Sequence, residues 1–273
     1  MSLLDDENIL ISDDRGAIGH FLKSYYKIVG NWILRENNVV DIKGSLCLEN
    51  SDIDSLTNGL FHFGSVTGGV YFNRCDKLKS LEGAPKNVCG NFSCHRCNSL
   101  LDFSGGPEEV GGFYTSECIM LKSLKGCPKI IHNGASCTSM MSLRSLEGLP
   151  LHINKDFVCD SCNNLIDLTG APEYVGGNFS CSECLGLKDL TGAPKCVNGN
   201  FYCCNCTNLR SIKGIENTFI NDMFDFSWCS HIEDSRYLPS GAQLICFEYC
   251  DIDSNVKLKI IEACHQRSIK IKF

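Results

Sequence analysis

Apolar and polar residues alternate along this chain in a pattern that returns about every 22 residues. In the clearest copy, Val175 to Cys196 (VGGNFSCSECLGLKDLTGAPKC), Phe179 and Cys181 alternate with polar neighbours, which is typical of a half-buried strand. Leu187 and Leu190 follow as a second apolar pair. A unit of this length cannot bury its apolar face alone, so the pattern predicts that successive copies stack on one another.

Leucines and glycines define the period of the repeat. One set of leucines is separated by steps of 22, 21, 22, 22, 22 and 22 residues: Leu78, Leu100, Leu121, Leu143, Leu165, Leu187 and Leu209. A glycine follows five residues after each leucine, and in most copies a proline comes two residues later. Glycine gives the backbone freedom to turn and proline blocks helix extension, so each coil has a corner there. We predict a repeat solenoid, a leucine-rich-repeat-like stack of 22-residue coils with one parallel β-sheet and small α/β caps at both ends.

The two ends of the chain lack the repeat. An open stack would expose apolar core and unpaired strand edges, so both ends are expected to form caps. The predicted organisation is an N-terminal cap at residues 1–44, a solenoid at residues 45–252, and a C-terminal cap at residues 253–273. Each cap is expected to contain a helix and at least one strand.

Composition and charge limit the classes of function. The chain of 273 residues has a net charge of −7 and no apolar run of the length that spans a membrane, so we expect no membrane partner and consider nucleic-acid binding unfavourable. The first residues, MSLLDDENILISDD, lack the basic start and apolar stretch of a secretory signal, which favours the cytoplasm. Thiols are kept reduced there, so the twenty cysteines are interpreted as small buried apolar residues.

Several motifs resemble one known group of proteins. NWILREN, VVDIKGSLCLEN, FHFGSVTGG and LKSLEGAPK are similar to segments of the leucine-rich-repeat-like proteins of large tailed bacteriophages, whose coils read NLTSLEGAP and VGGNFDCSNN. The similarity covers roughly residues 30–215. It implies a solenoid and a viral protein acting in the cytoplasm of a bacterial host, with no catalytic residues to carry over. This chain departs from the group by placing cysteine where those proteins often have asparagine.

The cysteines include four C-x-x-C pairs: Cys94/Cys97, Cys159/Cys162, Cys181/Cys184 and Cys203/Cys206. Repeated pairs of this spacing are typical of structural zinc sites. However, other coils place Phe72, Thr115, Phe226 or Phe247 at the first position and Met140 at the second, which a packing column tolerates and a metal site does not. Disulfides between neighbouring coils are another alternative, since parallel strands lie about 4.8 Å apart. We predict reduced, metal-free cysteines and no cofactor.

Residues that vary while the framework repeats are the candidates for binding. They lie between and just after the buried pair of each strand, on the side predicted to be concave. The candidate partner-binding residues are Tyr71, Arg74, His95, Arg96, Tyr114, Glu117, Asp160, Glu183, Tyr202, Trp228 and Tyr249. Exposed tyrosine, tryptophan and arginine are typical of binding hot spots. No catalytic residue is predicted, because no thiol or hydroxyl has an obvious base beside it.

The resulting hypothesis is a non-enzymatic solenoid that binds a host protein, such as a protein of a defence system, and inhibits or redirects it. The defence role comes from family analogy rather than from the residues. One alternative is a virion or assembly protein that forms homo-oligomers. The other is a zinc-stabilised or enzymatic protein that uses the C-x-x-C pairs.

Overall fold

A computed structural model describes residues 13–229, 232 and 237–273. In chain order the elements are α1 (Asp13–Tyr25), β1 (Lys27–Leu34), a 3₁₀ turn (Glu36–Asn38), β2 (Val39–Glu49), β3 (His62–Val66), β4 (Val70–Asn73), β5 (Asn87–His95), β6 (Glu109–Ser116), β7 (Ile130–Ile131), β8 (Ala135–Thr138), β9 (His152–Ile153), β10 (Phe157–Val158), β11 (Tyr174–Val175), β12 (Phe179–Ser180), β13 (Cys196–Val197), β14 (Phe201–Tyr202), β15 (Phe219–Ile220), β16 (Met223–Asp225), β17 (Leu244–Cys246), α2 (Ser254–Gln266) and β18 (Lys270–Lys272). Most strands are short, because each coil has only about 22 residues for a complete circuit.

The strands stack as the repeat predicts. The larger sheet runs in the order β1, β2, β3, β5, β6, β8, β10, β12, β14, β16, β17 and β18, while β4 pairs with β2 and β5 and β7 pairs with β6. Equivalent residues of successive coils are direct partners, as when Phe179 pairs with Phe157 on one side and Phe201 on the other. The β1–β2 pair is antiparallel. The predicted solenoid of stacked coils, about ten in number, is confirmed.

Each coil buries side chains at the same positions around its circuit. Phe179, Cys181 and Leu187 are fully buried, and their counterparts in neighbouring coils are buried beside them. The Phe179 and Phe201 rings lie 4.7 Å apart between centroids. Burial of one such ring stabilises the fold by about 2–3 kcal/mol. The core is therefore a series of columns in which one residue type recurs in most coils.

A second sheet forms where the sequence pattern predicted only turns. It contains β9, β11, β13 and β15, all parallel. Its strands are the two residues that follow each corner, such as Tyr174, which lies half-exposed, and Val175, which is fully buried. An alternation of two residues is too short to be distinguished from a turn in the sequence. The strands form because stacked coils of equal length bring these residues into register.

The glycine corner packs directly on the preceding coil. Gly170 has a φ of +86°, and a Cβ atom added to it would lie 2.2 Å from the backbone nitrogen of Glu147. Both the left-handed backbone and the close approach require glycine at this point. The corner therefore sets how closely two coils approach on the side opposite to the larger sheet.

The N-terminal cap covers the first coil with aromatic contacts. Phe21 of α1 lies 5.9 Å from Phe61 in an edge-to-face arrangement, and the hydroxyl of Tyr26 donates to the carbonyl of Leu56 at 2.6 Å. Strand β2 continues across the predicted boundary at residue 44, so cap and solenoid share a strand. Residues 1–12 of the predicted cap lie outside the described residues.

The C-terminal cap extends the sheet by one strand. Asp253 accepts the backbone N–H groups of Asn255 at 2.8 Å and Val256 at 3.4 Å, which caps the start of α2. After the helix, β18 pairs in parallel with β17. Buried Ile260 and Cys264 of α2 pack into the core cluster and cover the end of the stack.

Candidate binding surface

The larger sheet directs every second side chain away from the core. Tyr71, Ser93 and Tyr114 pair in one outward column that continues from coil to coil. We call the outward residues on or directly after the strands β4 to β17 the sheet face. Of the predicted binding residues, Tyr71, His95, Tyr114, Asp160 and Tyr202 lie on it, each half-buried except the more exposed Tyr114.

The remaining predicted residues lie on a neighbouring line with an unusual backbone. In each coil the residue that precedes the buried residue at the strand's end has a left-handed φ, between +49° and +64°. We call this line the ridge; its members are Asn50, Arg74, Arg96, Glu117, Ser139, Ser161, Glu183, Asn205, Trp228 and Tyr249. Left-handed φ is uncommon for residues other than glycine and costs about 1 kcal/mol or more, except for asparagine, which tolerates it better.

Hydrogen bonds between coils hold the ridge in this conformation. The backbone N–H of Arg96 donates to the carbonyl of Ser116 at 3.0 Å, and that of Trp228 donates to Glu248 at 2.8 Å. The same bond recurs at every ridge position from Asn50 to Trp228. The backbone of the ridge is therefore fixed by the stack and does not depend on the side chains it carries.

Charged groups cluster at the N-terminal end of the ridge. Arg96 Nε lies 2.7 Å from Glu117 Oε2, and this hydrogen bond lowers the pKa of Glu117 below its ordinary value. His95 Nδ1 lies 2.7 Å from Ser116 Oγ. Arg74 forms no ion pair with any other described residue and is exposed, so its guanidinium can bind an acidic group of a partner.

In the middle of the surface, two predicted residues have structural partners. Asp160 accepts hydrogen bonds from Ser180 Oγ at 2.6 Å and from the backbone N–H of Ser182 at 2.8 Å. Its pKa is raised, mainly by burial. Glu183 accepts a hydrogen bond from Ser161 Oγ at 3.1 Å. Asp160 is therefore held against its own sheet, whereas Glu183 remains exposed.

An aromatic pair lies at the C-terminal end of the ridge. The rings of Trp228 and Tyr249 stack with centroids 4.1 Å apart and an interplanar angle of 19°. The side chains nevertheless remain 57% and 70% exposed. Both residues have left-handed backbones, with φ of +64° and +59°. The structure thus brings together two residues that the sequence predicted separately, and it displays their outer faces to solvent.

The cysteines just after the ridge form a ladder of thiol hydrogen bonds. The thiol of Cys184 donates to the carbonyl of Cys159 at 3.2 Å, and that of Cys206 donates to Cys181 at 3.3 Å. The same contact joins Cys162 to Cys137 at 3.1 Å. The ladder residues, which follow the ridge positions from Arg74 to Tyr249, are Cys75, Cys97, Cys118, Met140, Cys162, Cys184, Cys206, Cys229 and Cys250.

Burial raises the pKa of many of the cysteine thiols, to about 12 for Cys162 and well above the ordinary value for Cys181. Cys75 and Cys118 are exceptions, because a hydrogen bond with the Cys97 thiol lowers the pKa of each. A protonated thiol is a hydrogen-bond donor and a poor nucleophile. All twenty cysteines are free, and in the described part of the chain no three histidine, cysteine, aspartate or glutamate side chains converge as a metal site would require.

Sequence reasoning missed two features of the surface. It identified the variable residues but not the left-handed backbone, because serine, glutamate and arginine in the ridge give no signal of positive φ. It also missed several exposed apolar residues on another edge of the coil, such as Ile119 and Met120. The signal for these was present, since other coils have polar residues at the same positions.

Comparison of the chain with family models, with curated proteins and with solved structures finds no match. Among the described helices, none has the length and apolar character needed to cross a membrane.

Proposed function

We propose that this protein is a non-enzymatic binding protein that holds a partner protein against its sheet face and ridge. The observation that carries the proposal is the exposed Trp228–Tyr249 stack. Aromatic side chains of this size supply large contact areas at little cost in side-chain entropy, and they are enriched at the centres of protein interfaces.

The backbone of the ridge supports the same proposal. Trp228 and Tyr249 occupy positions where a left-handed φ disfavours bulky residues. Asn205, at the same position in the coil before Trp228, has the side chain that tolerates this conformation best. Their packing against each other offsets part of this cost, by about 0.5–1.5 kcal/mol. Stability alone therefore does not account for the choice of these two residues, whereas recognition of a partner does.

The chemistry of the thiols favours binding over catalysis. A nucleophilic cysteine needs a lowered pKa and access to substrate, but burial raises the pKa of Cys159 and Cys181 well above the ordinary value. Cys75 and Cys118, whose pKa is lowered, are fully buried and cannot reach a substrate. The resemblance to phage repeat proteins suggests a bacterial host protein as the partner, with a defence protein among the candidates and the host cytoplasm as the location. This part of the proposal depends on the resemblance alone.

The proposal is tested by recovering a partner from a bacterial lysate and measuring its affinity for variants. Trp228→Ala combined with Tyr249→Ala should raise Kd at least about tenfold, equivalent to about 1.4 kcal/mol. Arg74→Glu combined with Arg96→Glu should mainly slow association and change its salt dependence. The matched control is Ser139→Ala combined with Ser161→Ala, which alters the same ridge without removing an anchor.

Thermal unfolding of each variant distinguishes lost contacts from lost structure. If the aromatic and arginine double variants keep the wild-type melting temperature and bind the partner unchanged, the sheet face and ridge are not the binding surface. An elemental analysis showing stoichiometric zinc that is lost in Cys181→Ser would instead favour the zinc-stabilised alternative.

A further inference from the structure

A row of exposed apolar side chains lies beside the ridge, where each coil turns away from the larger sheet. Five consecutive coils contribute to it, and each side chain is between 40% and 53% exposed. We call it the apolar row; its members are Leu101, Ile119, Met120, Met141, Ile166 and Leu185. Single exposed apolar residues are ordinary, but a contiguous row is typical of an interaction site.

The fold places these residues by a repeated β-turn. In one coil the N–H of Leu121 donates to the carbonyl of Cys118 at 3.0 Å, which puts Ile119 and Met120 at the centre of the turn. Met141 and Leu185 have the equivalent first position in their own turns. Turns of successive coils lie side by side, so Ile119, Met141 and Leu185 occupy one column of the stack.

Leu101 and Ile166 belong to the column that follows the turn. The N–H of Lys122 donates to the carbonyl of Leu101 at 3.0 Å, and that of Lys188 donates to Ile166 at 3.0 Å. The column therefore contains apolar and basic residues in neighbouring coils. Lys122, Arg144 and Lys188 are therefore neighbours of the apolar row in this column.

Met120 is the member that the framework explains least. At its position in other coils, Ser142 Oγ donates to the carbonyl of Ile119 at 2.7 Å and Asn208 Nδ2 donates to Leu185 at 2.6 Å. Ser99 and Asn164 make the same bond to the preceding coil. Methionine cannot donate such a bond, so Met120 exposes an apolar side chain at the expense of a contact between coils.

The charged residues in the same column as Leu101 and Ile166 are basic. Lys122, Arg144 and Lys188 are exposed, and none forms an ion pair with another described residue. Carboxylates occupy the next column, where each accepts a backbone N–H of its own coil. Asp102 accepts the N–H of Ser104 at 2.8 Å, and Asp167 and Asp189 likewise accept the N–H two residues further along the chain. An apolar row with unpaired cations is complementary to an acidic, apolar surface.

The spacing of the row selects the conformation of that surface. Coils lie about 4.8 Å apart, while a helix presents one side chain per turn of about 5.4 Å and an extended strand presents one per face every 6.6 Å or so. Over five coils a helix falls out of step by only about 2 Å, whereas a strand does so by about 7 Å. The row, whose members lie either in the turn or in the column that follows it, therefore matches the staggered apolar stripe of a helix better than one face of a strand.

We propose that the apolar row is a second docking surface, and that its occupant is an acidic amphipathic helix of a partner protein. The surface adjoins the ridge, since Ile119, Met141 and Leu185 each lie two residues after a ridge residue, but it shares no residue with the ridge. The proposal therefore does not depend on the aromatic pair, which belongs to later coils. One partner that contacts both surfaces would wrap around the edge of the solenoid.

The experiment measures binding of two labelled synthetic helices to the full chain by fluorescence anisotropy. Both peptides have 18 or so residues, leucine along one stripe and alanine elsewhere, and they differ only in having glutamate or lysine beside the stripe. The glutamate peptide should bind at least about tenfold more tightly than the lysine peptide. Lys122→Glu combined with Arg144→Glu should reverse that preference.

Variants identify the site of binding. Ile119→Ser, Met120→Ser and Met141→Ser together should weaken the glutamate peptide about tenfold. The matched control is Ile130→Ser with Leu151→Ser, which removes equally exposed apolar residues on β7 and beside β9. Trp228→Ala with Tyr249→Ala should leave peptide binding unchanged. The proposal is overturned if the two peptides bind equally, if neither binds, or if the row and control variants behave alike.

Discussion

The ladder and the ridge are adjacent in sequence and follow opposite rules. Every ladder residue from Cys75 to Cys250 is cysteine except Met140, whereas the residue before it varies from arginine and glutamate to serine, tryptophan and tyrosine. Both columns have a regular backbone, because ridge N–H groups donate to the next coil and ladder carbonyls accept an N–H three residues on in their own coil. They differ in direction, since ladder side chains point at a carbonyl of the preceding coil and ridge side chains point at solvent. The environment of the side chain, and not the regularity of the backbone, therefore determines whether a column has one residue type.

The largest effect expected from this difference is between an inward and an outward residue of one strand. Phe92→Asp in β5 places a carboxylate among Phe72 and Phe113, and we expect a loss of about 4 kcal/mol or more in the free energy of unfolding. Ser93→Asp, directed outward, should change it by less than about 0.5 kcal/mol. Urea unfolding of both variants tests this assignment, which equal losses would contradict.

A smaller effect compares the ladder with the ridge directly. Cys184→Ala removes the hydrogen bond to the carbonyl of Cys159 and leaves a small cavity, so the free energy of unfolding should fall by about 1–2 kcal/mol. Glu183→Ala, one residue earlier, should alter it by less than about 0.5 kcal/mol, because its bond to Ser161 is exposed. Chemical denaturation measures both changes. If Glu183→Ala cost more than Cys184→Ala, the ladder would not be the stabilising column.

Relief of backbone strain is the next effect. Trp228→Asn replaces a bulky residue at φ of +64° with the residue that best tolerates that conformation, but it loses the stack on Tyr249. The two contributions are each about 1 kcal/mol and opposite in sign, so the melting temperature should stay within a few degrees of wild type. Phe226→Asn, two residues earlier and fully buried, is the control that should unfold the C-terminal coils. A large loss of stability in Trp228→Asn would make Trp228 a structural residue of the cap.

The smallest effect depends on pH. Burial raises the pKa of Asp160, so the folded state favours its protonated form and stability falls as pH rises from the unfolded pKa through the folded one. Asp160→Asn keeps an acceptor for Ser182 and removes the charge. It should raise the free energy of unfolding at pH 7 by less than about 1 kcal/mol and leave it unchanged near pH 3. Stability curves at the two pH values provide the test, and an equal gain at both would exclude this cause.

The core could be predicted from the sequence because one apolar residue type recurs in most coils of each column. Leu187 and Phe179 have counterparts at the same step in nearly every coil, and stacking is the arrangement that buries them all. The second sheet escaped prediction because its strands are pairs such as Tyr174 and Val175, whose hydrogen bonds come from stacking and not from any local preference.

The candidate site was harder to predict because its geometry also comes from stacking. Surface side chains do not have to match those of a neighbouring coil, so the sequence shows which positions vary but not how their side chains are arranged. The stack of Trp228 on Tyr249 depends on their equivalent places in two successive coils, and the masking of Asp160 by Ser180 depends on a contact between coils. The sequence shows Met120 at a position where other coils have polar residues. Only the structure shows that those residues, such as Ser142, donate a hydrogen bond to the preceding coil that methionine cannot make.

The fixed backbone of the ridge has a consequence for how this protein can change over time. Every ridge N–H from Asn50 to Trp228 already donates to the next coil, so the backbone at a ridge position keeps its conformation when the side chain changes. Substitutions at Ser139, Ser161 or Asn205 would alter the recognised shape while the interior remains untouched. We expect that new binding specificities can be selected from a library randomised at the ridge alone, each variant inheriting the same fold.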